Sequence, residues 1–466
     1  MIISLIRVSF PKKRPHHISM KHTNKFSLSL LFLFISILSN AQQAFLFDDD
    51  MAVFYPAEFD ASQTLPSYAI QQDLIYKNDL PSDWKITPVY GKNSEGKITV
   101  KISFETTADL YGTGLVTGSL RRNGTDIMIW NRDNWGYYSE DGKCLYQSHP
   151  WIMGVRQDGS TFGILADNSW KQYFDLSNPI KITTEGPAFR VIIIEKENPA
   201  EMMKALGTLT GTIELPPLWA LGYQQSRYNP SYTANKAKEI ADEFRRREIP
   251  CDVIWMDIDY MDGKRIFTFN SKDFSDPIGL NNYLQERNFK AGYIIDPGVK
   301  IDNNYFVYNQ GMAGNHWVKD KNRNDYVGEV WPGLCHFPDF TRPETRSWWA
   351  SLYGNFVDDY QIDGVWNDMN EPGVFNTEGW TMPVNNIHRG GDGWAEGSHL
   401  RYHNLYGSLM SQATYEGILD KVSNKRPFVL SRGNHLGAQR YCATWTGDNR
   451  GTWEHMRMSV PMSITL

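Results

Sequence analysis

At 466 residues the chain is too long for a single hydrophobic core, which asks for two or three domains. Apolar residues make up 41% and charged residues 21%, as in globular proteins; the net charge of −6, with no basic stripe, argues against nucleic acid or an anionic membrane as the main partner. Aromatic residues reach 14%, including 16 Trp, which suits either a ring-rich core or flat platforms for the C–H faces of sugars.

The first segment reads as an address. From Met20 come Lys21 and Lys25, an apolar run from Phe26 to Leu38, and then Ser39-Asn40-Ala41. A basic start, an apolar stretch and small residues before the cut describe a secretory signal peptide, with cleavage expected after Ala41. Residues 1–19 fit no part of that pattern, so the expected start is Met20. The apolar run is too short to cross a bilayer, so the mature chain is expected to have no stable membrane span and to be secreted or periplasmic. The four cysteines (Cys144, Cys251, Cys335, Cys442) lie far apart without CxxC spacing, and each is expected to be a buried free thiol.

Residues 42–205 are the expected first domain, and about 42–198 of it reads as β. Lys97–Phe104 alternates, apolar bursts recur at Thr161–Leu165 and Phe189–Ile194, and turn clusters stand between them, as at Asn123-Gly-Thr125 and Gln157-Asp-Gly-Ser160. Short strands with frequent turns predict a sandwich. A short helix over Pro199–Leu206 closes this part, and a linker over 206–218 carries Pro216-Pro217.

From 219 to 466 strands and helices alternate. Expected strands are Leu221–Gln224, Asp252–Asp257, Ala291–Asp296, the strand before Asp368, Pro427–Ser431 and the strand ending near Trp445. Ala237, Ile240, Ala241 and Phe244 mark an amphipathic helix after the first, and Trp349, Leu352, Tyr353 and Phe356 a helix from Pro343. A helix is also expected from about Asn404 to Leu419, and a Gly- and Trp-rich insertion spans about 299–341. Acidic residues stand repeatedly at strand ends, as in a parallel barrel with its site on the C-terminal face. A doubly wound sheet would alternate in the same way, but no glycine-rich phosphate loop follows any strand. The predicted class is α/β: an N-terminal β-sandwich and then a (β/α)8 TIM barrel. The barrel is expected to be C-terminally incomplete, because Leu466 falls in what reads as the helix after the sixth strand.

The segments Asp363–Pro372 and Ala443–Asn449 are short apolar or aromatic runs that stop at Asp368 and Asp448. Two carboxylates on a barrel rim suit glycosidic cleavage: one ionised to attack the anomeric carbon, the other carrying the proton for the leaving oxygen. Asp368 suits the first role. Asp448 suits the second, since Trp445 could wall it and raise its pKa. An aspartate after a strand also serves as a helix N-cap, so spacing alone leaves both roles open.

The ordered segments Trp255–Met261, Val330–Gly333, Phe337–Thr341, Trp366–Pro372, Ser431-Arg432, Thr444–Asn449 and Thr452–His455 resemble glycoside hydrolase family 31, the α-glucosidase family. The resemblance covers roughly residues 100–460 and implies a galactose-mutarotase-like sandwich, a TIM barrel and retaining hydrolysis of terminal α-glucosides, with no cofactor. By this likeness Asp368 is the nucleophile and Asp448 the acid/base. Asp257 and Arg432 bind the sugar, Asp296 is a further acid lining the site, and Trp331 and Trp366 are aromatic walls, with Trp445 beside Asp448 also expected to bind substrate. Met369 lines a subsite or, as a Met after a strand, only packs, and Trp130-Asn-Arg-Asp133 is a sandwich loop whose Asp133 touches substrate. Tyr228 stands where the family usually has Trp, and the family's site histidine falls beyond Leu466. The alternatives are a non-catalytic carbohydrate-binding chain, and α-xylosidase or transglucosylase activity on the same scaffold. Blander roles are expected elsewhere: Glu371 holding its turn, His403-Asn404 capping a helix, Asp259 and Asp262 structural. The acids at 257–262 lack a spaced calcium loop, so no metal is expected.

Overall fold

The structure, a computed structural model, describes residues 42–137, 144–421 and 426–465. The expected signal peptide and start at Met20 lie outside the described residues. No helix among the described residues is long and apolar enough to cross a membrane. All four cysteines are buried thiols, and no disulfide joins them among the described residues.

Two antiparallel sheets form the sandwich. One runs in the order Gln43–Asp48, Met51–Tyr55, Arg190–Lys196, Thr161–Asp167, Gln147–Val155, with Asp109–Gly114 also pairing to the last of these. The other runs Pro88–Lys92, Ile98–Ile102, Ile180–Thr184, Gln172–Asp175, Asp126–Ile129. The alternation in Ile98–Ile102 turns Val100 and Ile102 inward and Lys101 to solvent. These two meet Phe54, Phe162, Ile164, Ile182 and Val191 in the core between the sheets. The unbroken run Val191–Ile194 has a second cause: a helix over Pro199–Thr210 covers the other face, packing Met202, Leu206 and Leu209 on Leu165, Ile192 and Ile194. A strand buried on both faces has no polar positions to alternate. Asn198 starts this helix by accepting from Glu201 N, and it runs to Thr210, so the first five residues of the expected linker are helical.

Six strands make the second sheet: β1 (Gln224–Arg227), β2 (Val253–Met256), β3 (Lys290–Ile295), β4 (Gly364–Asn367), β5 (Val429–Ser431) and β6 (Ala443–Thr444). All pairs are parallel, and the order across the sheet is the order along the chain. A doubly wound sheet reverses its order at a switch point; this one never does, which makes it an incomplete TIM barrel. Between the strands lie α1 (Ala234–Arg246), α2 (Pro277–Glu286), α3 (Pro343–Asp358) and α4 (Tyr406–Lys421), with α5 (Trp453–Ile464) after β6. The stripe on α1 falls as expected, with Ala237 and Ala241 buried and Ile240 and Phe244 packed against the core.

Strand β1 begins three residues later than the sequence suggests. The apolar Leu218–Leu221 forms a single 3-10 turn, and the strand is the polar Gln-Gln-Ser-Arg that follows. Between β3 and α3 the insertion is ordered. It holds a helix (Phe306–Ala313) and an antiparallel sheet of Val299–Lys300, Gly333–His336 and Gly328–Val330. Past β5, Asn434–His435 pairs in parallel with Gln147–Ser148 and stitches the barrel rim to the sandwich.

Candidate active site

Strand register builds the rim. Ile295 pairs with Asn367, Asn367 with Ser431, and Ser431 with Thr444. The next residue on each strand leaves the sheet, so Asp296, Asp368, Arg432 and Trp445 emerge in one layer. On the other flank Arg227 pairs with Met256, and Tyr228 and Asp257 follow. Parallel strands all deliver their C-terminal residues to the same end, which is why acids far apart in sequence meet here.

Arg432 is the hub. It is 1% exposed, and its Nε and Nη2 donate to the two oxygens of the fully buried Glu371 at 2.8 and 3.0 Å. Its Nη1 donates to Asp448 Oδ2 at 2.7 Å, while Asp368 Oδ1 lies 3.0 Å from Nε and Asp133 Oδ2 3.5 Å from Nη2. The fork of a guanidinium suits the bidentate grip on Glu371, and the four carboxylates compensate a cation that would be costly to bury alone. Met369 Sδ accepts from Nη2 at 3.1 Å, and the Tyr146 ring lies 4.9 Å from the guanidinium carbon. Glu371 therefore does more than hold its turn: it anchors the arginine from below.

The turns after β4 and β5 are locked together. Asn370 Nδ2 donates to Ser431 Oγ at 2.9 Å, and Gly433 N donates to Asn370 Oδ1 at 2.8 Å. The backbones approach so closely that a Cβ on Gly433 would meet the Asn370 carbonyl carbon at 2.7 Å. Gly447 is the second necessary glycine: its φ is +78°, and a Cβ there would strike the Tyr146 ring at 2.1 Å.

Burial pushes the Asp368 carboxyl well up, with Asp448, Asp296 and Glu371 adding to the shift and Arg432 opposing it. Asp133 is raised by burial in the same way, again against Arg432. Burial takes Asp296 to about 7 and Asp257 to about 6; Asp257 keeps one oxygen on Ile258 N at 2.7 Å. Oδ1 of Asp133, Asp296 and Asp368 and Nε1 of Trp366 are buried without an aligned hydrogen bond to the protein. Buried polar atoms are nearly always paired, so a cluster of such atoms at one rim marks where a hydroxyl-rich ligand would complete the set.

The expected aromatic wall around Asp448 takes another form. Trp445 stands edge-on to Trp366, with ring centroids 5.5 Å apart, and Trp366 stands edge-on to Trp255 at 6.3 Å. The Asp448 side chain stays 34% exposed, and its neighbours come from the sandwich: Tyr146 Oη is 3.3 Å from its backbone N, and Gly136 N donates to its carbonyl at 2.7 Å. The deep carboxylate is Asp368, and Asp448 is the open one. Trp331 and Tyr228 form a partly exposed pair at 6.0 Å on the outer rim. Met369 is buried against Arg432, and Asp262 pairs with Arg265 at 3.6 Å near the surface.

The sandwich loop reaches the site because the barrel grips it. Asn404 Oδ1 accepts from Asn131 N at 2.9 Å, and Asn404 Nδ2 donates to the carbonyls of Ile129 and Ser169. His403 stacks on Trp130 with centroids 3.6 Å apart and bonds Asn131 O at 2.6 Å. The expected capping role of His403-Asn404 is thus replaced by a clamp on the loop that carries Asp133. Tyr146 and this clamp escape a reading of the sequence, since nothing local ties a sandwich residue to a barrel helix.

A parallel β/α barrel with a carboxylate-crowned rim, roofed by a β-sandwich loop, has the architecture of a glycoside hydrolase. The descriptions that match are the "Glycosyl hydrolases family 31 TIM-barrel domain" over residues 213–466 and the "Glycosyl hydrolase 31 N-terminal galactose mutarotase-like domain" over 13–175. The chain belongs to glycosyl hydrolase family 31. It is 43% identical to alpha-glucosidase 2 of Bacillus thermoamyloliquefaciens over 76% of this chain and 45% of that protein. Against human neutral alpha-glucosidase AB the identity is 32%, over 84% of this chain and 44% of that one. Among solved structures, a family 31 alpha-glucosidase from Bacteroides thetaiotaomicron is 48% identical with a TM-score of 0.70, covering 79% of this chain and 60% of that one. The Flavobacterium johnsoniae family 31 dextranase in complex with isomaltotriose is 25% identical with a TM-score of 0.80, covering 92% and 57%. The chain spans about half or less of the length of the curated relatives it matches.

Proposed function

We propose that this chain carries the nucleophile, the acid/base and most of the sugar-binding groups of a retaining α-glucosidase acting on terminal α-linked glucose of oligosaccharides. The observation that carries the reading is that two nitrogens of one guanidinium meet the two carboxylates: Asp368 Oδ1 lies 3.0 Å from Arg432 Nε, and Asp448 Oδ2 accepts from Nη1 at 2.7 Å. They therefore face one small space, as retaining chemistry requires of carboxylates about 5–5.5 Å apart.

In the first step an oxygen of ionised Asp368 bonds to the anomeric carbon as the bond to the leaving oxygen breaks and Asp448 gives that oxygen its proton. In the second, Asp448 takes a proton from water, whose oxygen displaces Asp368 and releases the α-anomer. Arg432 favours the ionised form of Asp368 against burial, and Asp448 sits on the open side, where leaving group and water would pass. Asp257, Asp296 and Asp133 suit sugar hydroxyls, with Trp366 and Trp445 as walls and Trp331 and Tyr228 further out. Export through an N-terminal signal peptide belongs to the same proposal.

Replacing Asp368 by Ala is expected to abolish release of 4-nitrophenol from 4-nitrophenyl α-glucoside; turnover near the wild-type rate would refute the assignment. An open six-stranded sheet also favours a second reading, in which the chain binds glucosides without cleaving them. Saturable isomaltotriose binding with no hydrolysis by the unaltered chain would select that reading.

A further inference from the structure

Behind the Asp133 loop a chain of buried side chains crosses from the insertion side of the barrel to the sandwich. Asp339, His388, His399 and His403 are all 0% exposed. Asp339 Oδ1 lies 3.1 Å from His388 Nδ1, and His388 Nε2 lies 2.9 Å from His399 Nδ1. His399 Nε2 then lies 2.9 Å from His403 Nδ1, and His403 Nε2 lies 2.6 Å from the Asn131 carbonyl oxygen.

These four contacts can be checked by counting protons. Each needs one proton between its two heavy atoms. A neutral imidazole brings one, so three neutral rings fill only three contacts. Both ends of the chain accept: a carboxylate at Asp339 and a carbonyl at Asn131. Whichever tautomers are chosen, three neutral rings leave one contact with two lone pairs facing each other within hydrogen-bond distance. The Thr381 hydroxyl, 3.4 Å from His403 Nδ1, does not change the count, because the His399–His403 contact still needs its own proton.

We propose that the Asp339–His388–His399–His403 chain holds one proton more than its neutral rings supply, and that this proton fixes the loop on which Asp133 faces the candidate site. The last clause rests on the glucosidase reading; the proton count does not. The three histidines and Asp339 are then positioning residues, acting on Asp133 through Asn131 and Trp130.

The surroundings place the extra proton next to Asp339. Burial holds His399 well below the ordinary imidazole range and takes His403 to about 3, so neither ring suits the charge. Burial alone would raise Asp339, but its bonds to His388, Thr341 and Arg389 N hold it below the usual carboxylate range. His388 is the ring beside it. The other groups facing the chain are the Arg389 guanidinium, 3.6 Å from Asp339 Oδ2, and the Tyr402 and Tyr406 rings beside His388. Lys171 lies at the far end, over Trp130 at 5.4 Å.

The test is nitrogen NMR of the full chain uniformly labelled with 15N, read from pH 6 upward. One of the three rings is expected to show both nitrogens protonated at pH 7.5. As pH rises and that signal is lost, the Trp130 indole and Asn131 amide resonances are expected to shift with the same midpoint. Asp339→Asn supplies the discriminating variant. An amide at 339 donates to His388 Nδ1, each neutral ring passes its Nε2 proton onward, and all four contacts fill without an extra charge. The variant is expected to show three singly protonated rings and loop resonances that do not move over the same range. Three singly protonated rings in the unaltered chain would overturn the proposal, as would a doubly protonated ring that survives in Asp339→Asn, or a titration that leaves Trp130 and Asn131 unmoved. The unaltered chain decides the first point even if the variant fails to fold. No readout needs turnover, so an inactive Asp368→Ala enzyme and an absent imidazolium are separate results.

Discussion

Around Arg432 a single cation serves four carboxylates, and that imbalance governs how the rim responds to pH. Replacing Arg432 by Met leaves buried carboxylates uncompensated and is expected to cost about 3–5 kcal/mol near neutral pH. The cost should shrink at pH 5, where the raised carboxyls take up protons; denaturant unfolding at both pH values checks it. Asp296 gives a second prediction with the opposite slope from an ordinary ion pair. Its folded pKa of about 7 lies above its unfolded value, so the folded state binds more protons between the two. Stability contributed by the protonated form is present at acid pH and falls as pH rises from the unfolded pKa toward 7, by at most roughly 4 kcal/mol. Asp296→Asn, which cannot ionise, should flatten that part of the profile in a melting series; an unchanged slope would contradict the burial argument. If Asp368 is the proposed nucleophile it must be ionised to act, so the acid limb of kcat/KM is expected above the usual carboxylate range because Asp368 is raised.

Elements hold the rim through turns rather than through strands, since β5 and β6 are only three and two residues long. The Asn370–Ser431–Gly433 lock does what longer ladders would do. Gly433→Ala pushes its methyl into the Asn370 carbonyl and should move Glu371, and with it Arg432, by tenths of an ångström or more. Stability is expected to fall by about 1–3 kcal/mol and kcat to fall more than binding does. A variant as stable and active as the unaltered chain would show the turns are not coupled. At this scale the sequence was a good guide where one physical signal dominated. The period of α1, the Pro343 start of α3 and the apolar run of β3 all placed their elements within a few residues. It misled at β1, where the strand was expected over Leu221–Gln224: Leu221 ends a tight turn instead, and the polar Gln-Gln-Ser-Arg becomes the strand through its pairing with β2.

Across the whole molecule the site is shared between two domains, and that part was legible only through family likeness. Strand ends gave Asp368 and Asp448 as candidates from one-dimensional pattern, whereas Asp257, Asp296 and Arg432 came from the family likeness. Tyr146 and the His403–Asn404 clamp depend on how a sandwich loop meets a barrel helix, which no local period records. Asn404→Ala tests the joint: it leaves the Asn131 N–H and two carbonyls without their partner, at about 1–3 kcal/mol, and should weaken isomaltotriose binding through loss of the Asp133 position. Lower stability with unchanged binding would confine the clamp to folding.

The most direct measurement of the central claim is covalent capture. The unaltered chain is treated with 5-fluoro-α-glucosyl fluoride, which forms the glycosyl-enzyme but slows its release, and the labelled peptide is found by mass spectrometry. The account predicts one fluoroglucosyl group on Asp368. Labelling of Asp448 or any other residue, or no labelling of the folded chain, would contradict it.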